Sequence, residues 1–430
     1  MDMDCTRFTL PNKLRVLVVP MPANESATVT VWVRTGSRFE DKKTNGLSHF
    51  LEHMAFKGSP KYPTTKDVAG AIDAIGGVFN AGTSKEWTNF YVKVRVGVIE
   101  TAFDVLSDMI IRPLLKEEEI EREKGVIVQE IHLYKDNPTM RISDIFENVI
   151  FKGSSLSWNI AGSTQTVKGI KRKDFISYRA KHYFSENMMV VVAGGVTADK
   201  VRTLARKYFS DIKPKGIRSK KPQDVIKQTK PQVLLESKKT DQAHFILGFR
   251  TSSLENEGRY AQALLAAVLG GGMSSRLIIE IRERRGLAYA VQTALEQVMD
   301  NGYIGTYVGV RTEKIDEAIK IMLTQMYGIA TRELPISKEE LAKAKEYIKG
   351  HIALSLEDST AVNEFFALKE LLLNKTQTPE EVYKKIDAVK VEGIYQVAKK
   401  YFKPERLNLA VVGPFKDAAK FEKLLSFKRE

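Results

Sequence analysis

A single cysteine in 430 residues, Cys5, excludes an intrachain disulfide, and its place beside the terminus makes it an ordinary free thiol rather than a nucleophile. No stretch approaches the ~18 consecutive apolar residues of a membrane span. The opening residues, MDMDCTRFTLPNKL, lack the basic flank and apolar core of a secretory signal. A cytoplasmic protein without membrane association is the expectation. Also missing is any recognisable nucleic-acid motif. A formal charge of +14 would attract polyanions, but the lysines are interspersed with glutamates along helical segments, so the excess reads as solvated surface and no nucleic-acid partner is expected. What the chain does have is length, more than one hydrophobic core usually serves, so two or more domains follow.

The organisation is that of a repeat. FTLPNKLRVLVVP and ATVTVWVRTG read as strands separated by turn residues, and KDVAGAIDAIGG as a helix that Thr65 can cap and that Gly76 and Gly77 stop. VFNAGTS and NFYVKVRV form a further strand pair, followed by amphipathic helices from Ile99 to Tyr134 and a buried strand from Met188 to Gly195. A basic, proline-bearing stretch, residues 213–231, is the candidate linker. After it the pattern returns. KVRVGVIETAFDVLSDMI is echoed by YVGVRTEKIDEAIKIMLTQM, and AKHYFSENMMVVVAGG by AKKYFKPERLNLAVVGP. The expected domains are 1–212 and 232–430, two copies of one α+β unit.

The first copy carries chemistry that the second lacks. In SHFLEHMAFK, His49 and His53 are one helical turn apart on one face, a spacing that suits one metal ion. Glu52 lies beside them, close enough to act on a water at that metal without being a ligand. Aligning the two copies puts Gln262, Leu265 and Ala266 opposite these three, so the fold itself does not require the triad. Candidates for a third ligand lie in LLKEEEIEREKGVIVQEIHLYKD: Glu123 and Glu130, two turns apart on one side of a helix, and His132, which points away from Glu123. Glu130 sits at the apolar end, where an unpaired carboxylate would be costly to bury. Of the other histidines, His182 aligns with Lys400 and reads as a surface residue, His244 lies in a strand, and no partner for His351 is evident.

With the H-x-x-E-H order, Glu130 placed 77 positions after His53 and Glu123 seven before Glu130, the chain resembles the pitrilysin, insulin-degrading enzyme and mitochondrial processing peptidase superfamily over essentially its whole length. The resemblance implies one Zn2+ per chain held by His49, His53 and Glu130, with Glu52 as general base and Glu123 as a supporting carboxylate. It also implies that Asn80, Ala81 and Gly82, in FNAGTSKEWTNFY, bind substrate as an added strand. Arg282 and Tyr289, in SSRLIIEIRERRGLAYAV, match the arginine and tyrosine with which the metal-free half contacts substrate. The implied fold is α+β, two tandem homologous domains, each a mostly antiparallel sheet packed with helices, facing each other across a cavity like a clam-shell. The implied function is zinc-dependent endopeptidase activity on peptides or unfolded polypeptides. A homodimer is the implied assembly, with a heterodimer containing an inactive homologue as the variant. The alternative function is that of a non-catalytic or regulatory subunit of a peptidase-like complex.

Overall fold

The run MMVVVAG is apolar on both faces and VTVWV is interrupted only by Thr30, which suits strands in the interior of a sheet covered on both sides. In the computed structural model, which describes residues 5–216 and 226–426, they are such strands. The first sheet contains β1 (Thr6–Thr9), β2 (Arg15–Pro20), β3 (Ser26–Val33), β4 (Val78–Thr83), β5 (Thr88–Arg95) and β6 (Met188–Gly194), in the order β1-β2-β6-β3-β5-β4. All neighbours are antiparallel except β2 and β6. The second sheet contains β7 (Gln232–Ser237), β8 (Gln242–Thr251), β9 (Ala288–Gln297), β10 (Gly302–Arg311) and β11 (Leu407–Gly413), in the order β7-β11-β8-β10-β9. Here β7 and β11 form the parallel pair, so the second sheet reproduces the first without β1. The middle of the expected linker, residues 217–225, lies outside the described residues.

The helices of the first half are α1 (Leu47–Ala55), α2 (Thr65–Asp73), α3 (Ile99–Ile111), α4 (Glu117–Asp136), α5 (Pro138–Ile150), α6 (Thr164–Gly169), α7 (Arg172–His182) and α8 (Ala198–Phe209). Those of the second are α9 (Arg259–Gly270), α10 (Ile315–Thr331), α11 (Lys338–Ser355), α12 (Ser359–Leu373), α13 (Pro379–Asp387), α14 (Val391–Tyr401) and α15 (Ala419–Leu425). Thr64, not Thr65, caps α2. Its hydroxyl accepts from the Asp67 amide while the Asp67 carboxylate accepts from the Thr64 amide, a reciprocal capping box.

Two compact units result, and they do not follow the linear halves 1–212 and 232–430. One consists of Met1–His132, Trp158–Pro222 and Ala353–Glu380, the other of Leu133–Ser157, Gln223–Ile352 and Glu381–Glu430. The exchanged segments explain the difference. Helix α12, late in the chain, packs on β6 and β3 of the first sheet, whereas α5 packs on β11 and β8 of the second. On the first sheet, the Trp32 indole N–H donates to Asn363 Oδ1 at 3.1 Å, and Asn363 Nδ2 donates to the Val191 carbonyl at 2.8 Å. Arg15 Nη1 donates to Glu370 Oε1 at 2.7 Å in a buried ion pair. On the second, Phe146 of α5 meets Tyr303 edge to face, and Arg141 pairs with Glu236 at 2.8 Å.

The position of α1 follows from its own pattern. Leu47, Phe50, Leu51 and Met54 form a buried stripe against Ile127 and Val128 of α4 and Phe175 and Tyr178 of α7. Full burial contributes roughly 1.5–3 kcal/mol per large apolar side chain, so this stripe can hold the helix while its other face is given over to polar groups. In α4, Gly125 occupies a helical position where an added Cβ would meet nothing within 4 Å. Gly125→Ala is therefore expected to stabilise the protein by about 0.5–1 kcal/mol, read as a higher urea midpoint. A lower midpoint would show that this glycine answers a packing demand.

Candidate metal centre

Once the apolar stripe of α1 is buried, His49, Glu52 and His53 occupy the remaining face, where α4 passes with Glu123 and Glu130. Among the described residues, one group of three or more His, Cys, Asp or Glu side chains gathers its ligand atoms within 4.8 Å: His49, His53 and Glu130. The two imidazole Nε2 atoms face each other at 3.3 Å. Glu130 Oε1 lies 3.5 Å from His49 Nε2, and its Oε2 lies 3.6 Å from His53 Nε2. Zinc–nitrogen bonds of roughly 2.0–2.1 Å in a tetrahedron put the ligand atoms about 3.3–3.4 Å apart, so the observed spacing fits such an ion.

The donor set also has the chemistry a metal needs. Glu123 Oε1 lies 2.8 Å from His53 Nδ1, and since a carboxylate accepts, Nδ1 carries the proton and the Nε2 lone pair faces Glu130. Lys57 Nζ, one turn beyond His53, holds the other Glu123 oxygen at 2.5 Å. Burial pushes the Glu123 carboxyl up, but His53 and Lys57 outweigh it and hold it below its ordinary value. Glu130 is likewise held low, first by its interaction with His49. Burial works against protonation of His49, yet Glu130 and the charges of Glu52 and Glu40 keep it above the usual value. His49 Nδ1 is buried and has no hydrogen-bond partner among the described residues, in contrast to His53.

Glu52 stands outside the ligand group. Its Oε2 accepts from Thr83 Oγ1 at 2.5 Å. Thr83 ends β4, one of the two edge strands of the first sheet. Residues 79, 81 and 83 share a face of that strand, so the alternation that buries part of Phe79 and Ala81 also turns Thr83 toward Glu52. Asn80, Ala81 and Gly82 lie on the same strand, paired with β5 on one side only.

Sequence reading missed Thr83, Lys57 and Glu40. Only Lys57 left a signal, lying four residues after His53 on the ligand face. His132 is exposed on α4 and outside the ligand group. His182 is a correction: it is buried, its ring against Tyr178 at 4.5 Å and Phe39 at 5.9 Å, and burial lowers its pKa to about 3. It follows Tyr178 by one turn on the inward face of α7, which alignment with Lys400 could not reveal. His244 pairs with the Tyr307 hydroxyl at 2.9 Å, and the His351 ring lies 4.0 Å from that of Tyr347, tilted by 40°.

In the second unit, the positions opposite the triad serve packing. Gln262, Leu265 and Ala266 are buried on α9, with Gln262 Nε2 donating to Ser252 Oγ at 2.6 Å. Arg282 lies in a π-helical turn, Ile278–Glu283, and its guanidinium sits 5.1 Å over the Tyr289 ring, while Tyr289 itself is 83% exposed. The two are thus brought together, with the tyrosine presented to solvent.

The Insulinase (Peptidase family M16) domain matches residues 15–163, and the Peptidase M16 inactive domain matches residues 169–348. An uncharacterized zinc protease of Streptomyces coelicolor is 33% identical over 96% of this chain and 90% of its own length. The uncharacterized zinc protease YmxG of Bacillus subtilis is 33% identical over 95% of this chain and 98% of its own. The fold matches a protease from Helicobacter pylori with a TM-score of 0.88 at 24% identity, covering 95% of this chain and 99% of that one. It also matches a peptidase M16 inactive domain from Pseudomonas fluorescens, TM-score 0.88 at 16% identity, covering 96% and 99%. No helix among the described residues is long and apolar enough to cross a membrane. Matched in both halves and along nearly the full length of its relatives, the chain belongs to peptidase family M16, within the pitrilysin superfamily.

Proposed function

We propose that this chain is a zinc-dependent endopeptidase acting on peptides or unfolded polypeptides. The observation that carries the proposal is the convergence of His49, His53 and Glu130 beside a carboxylate, Glu52, that is not one of the three. His49, His53 and Glu130 would hold one Zn2+, which supplies Lewis acidity to polarise the scissile carbonyl and acidify water. Glu52 takes the proton of the attacking water and delivers it to the leaving amine. Thr83 holds one Glu52 oxygen, leaving Oε1 for that transfer. Glu123 fixes the His53 ring. The unpaired edge of β4 at Asn80, Ala81 and Gly82 supports docking of the substrate as an added strand, which favours extended chains over folded ones. Arg282 and Tyr289 are assigned to substrate contact, Tyr289 as a donor to developing oxyanion charge. The working assembly is taken to be a cytoplasmic homodimer, with a heterodimer as the variant.

The test joins metal analysis to activity. The purified protein is expected to contain one zinc per chain and to cleave an internally quenched peptide, to lose both with chelator, and to recover both with Zn2+. A chain with neither stoichiometric metal nor cleavage would favour the non-catalytic subunit, and cleavage indifferent to chelator would overturn the zinc mechanism.

A further inference from the structure

We propose that Glu40 is a positioning residue for the metal site, holding the first turn of α1 so that His49 faces His53 and Glu130; the inference rests on the metal reading of that site. The two histidines are supported unequally. Glu123 grips the His53 ring directly, whereas His49 Nδ1 is buried without a hydrogen-bond partner among the described residues, so the His49 ring takes its orientation from its backbone and packing. That backbone begins at a weak point. Gly46, the residue ahead of α1, has φ 101°, supplies no side-chain cap, and is pressed against the Ala161 carbonyl, which an added Cβ would meet at 2.6 Å.

Glu40 supplies the missing cap from outside the helix. Its Oε1 accepts from the Ser48 amide at 2.6 Å, and its Oε2 accepts from the Gly46 amide at 2.8 Å and from Asn45 Nδ2 at 2.9 Å. Ser48, the residue before His49, is held a second time, its Oγ 2.7 Å from the Tyr178 hydroxyl, which also lies 2.8 Å from Thr35 Oγ1. Glu40 is 7% exposed, and a carboxylate so buried is costly unless donors surround it. Here three N–H groups do, two from the amides at the start of α1. Rotation of α1 about its axis would break these bonds at the same time as it turned His49 away from Glu130.

Glu40→Gln separates this role from simple packing, because the volume is kept but one oxygen becomes an NH2. In either orientation that NH2 meets an N–H donor: Gly46 and Asn45 in one case, Ser48 in the other. Tyr178→Phe removes the second tether while keeping the ring. Both variants and wild type would be titrated with Zn2+ against a chromogenic competitor, and loaded with Co2+ for visible absorption, after circular dichroism establishes folding. The expected result is a loss of Zn2+ affinity of about 10–100-fold in Glu40→Gln, a smaller loss in Tyr178→Phe, and an altered cobalt band in both. Wild-type affinity and an unchanged band in folded Glu40→Gln would overturn the inference; should that variant fail to fold, the same result in Tyr178→Phe would. If wild type itself binds no stoichiometric metal, it is the metal reading that fails.

Discussion

Glu52→Gln is expected to retain zinc and the native fold while losing turnover of a quenched peptide by about 10²–10⁴-fold, the usual contribution of a general base. Retention follows from geometry: Glu52 is not among the three converging ligands, and a glutamine oxygen can still accept from the Thr83 hydroxyl. The loss follows from chemistry, since an amide cannot take up the proton of the attacking water. The defect belongs in kcat, with KM for the peptide little changed, because the substitution alters no group assigned to substrate binding. Turnover equal to wild type in a zinc-loaded variant would remove Glu52 from the mechanism and leave the metal assignment standing.

The second large effect separates the two glutamates of α4. Glu130→Gln is expected to weaken Zn2+ binding on the order of 10²–10⁴-fold, if a binding free energy of roughly 10–16 kcal/mol is shared among three ligands. Glu123→Gln should cost only about 10–100-fold, because Glu123 touches Nδ1 of His53, on the far side of the ring from the ligand nitrogens. A competitor titration of both variants gives the order directly. If Glu123→Gln proved the more damaging, the two carboxylates would have to exchange roles, although Glu130 alone of them lies within 3.6 Å of both Nε2 atoms.

How much of this could be read beforehand depended on chain distance. His49, Glu52 and His53 share nine residues of helix, and Glu123 and Glu130 share another, so local periodicity sufficed to place each set on one face. The repeat was legible as well, because strand patterns survive duplication. Thr83 and Glu40 were not, since each reaches α1 from a separate segment with no periodic mark. Nor was the exchange of α5 and α12, because an amphipathic helix records that it covers something, not which sheet. His182 failed for a related reason: alignment gives a residue's counterpart in the repeat but not its surroundings.

The seat of α12 on the first sheet has a consequence for the order in which the protein can be made. Trp32, Arg15 and Thr28 find their partners at Asn363, Glu370 and Ser359, more than 330 residues downstream. A ribosome that has delivered the whole metal-binding motif has therefore not yet delivered the helix that covers β3 and β6. Until it does, the nascent chain exposes a sheet face on which Arg15, Thr28 and Trp32 lack their partners beside apolar residues such as Leu17 and Val191, a target for chaperones and for aggregation. A fragment ending at the linker would be left in that condition permanently, so the metal-bearing half is not expected to be an independent folding unit, despite containing every ligand.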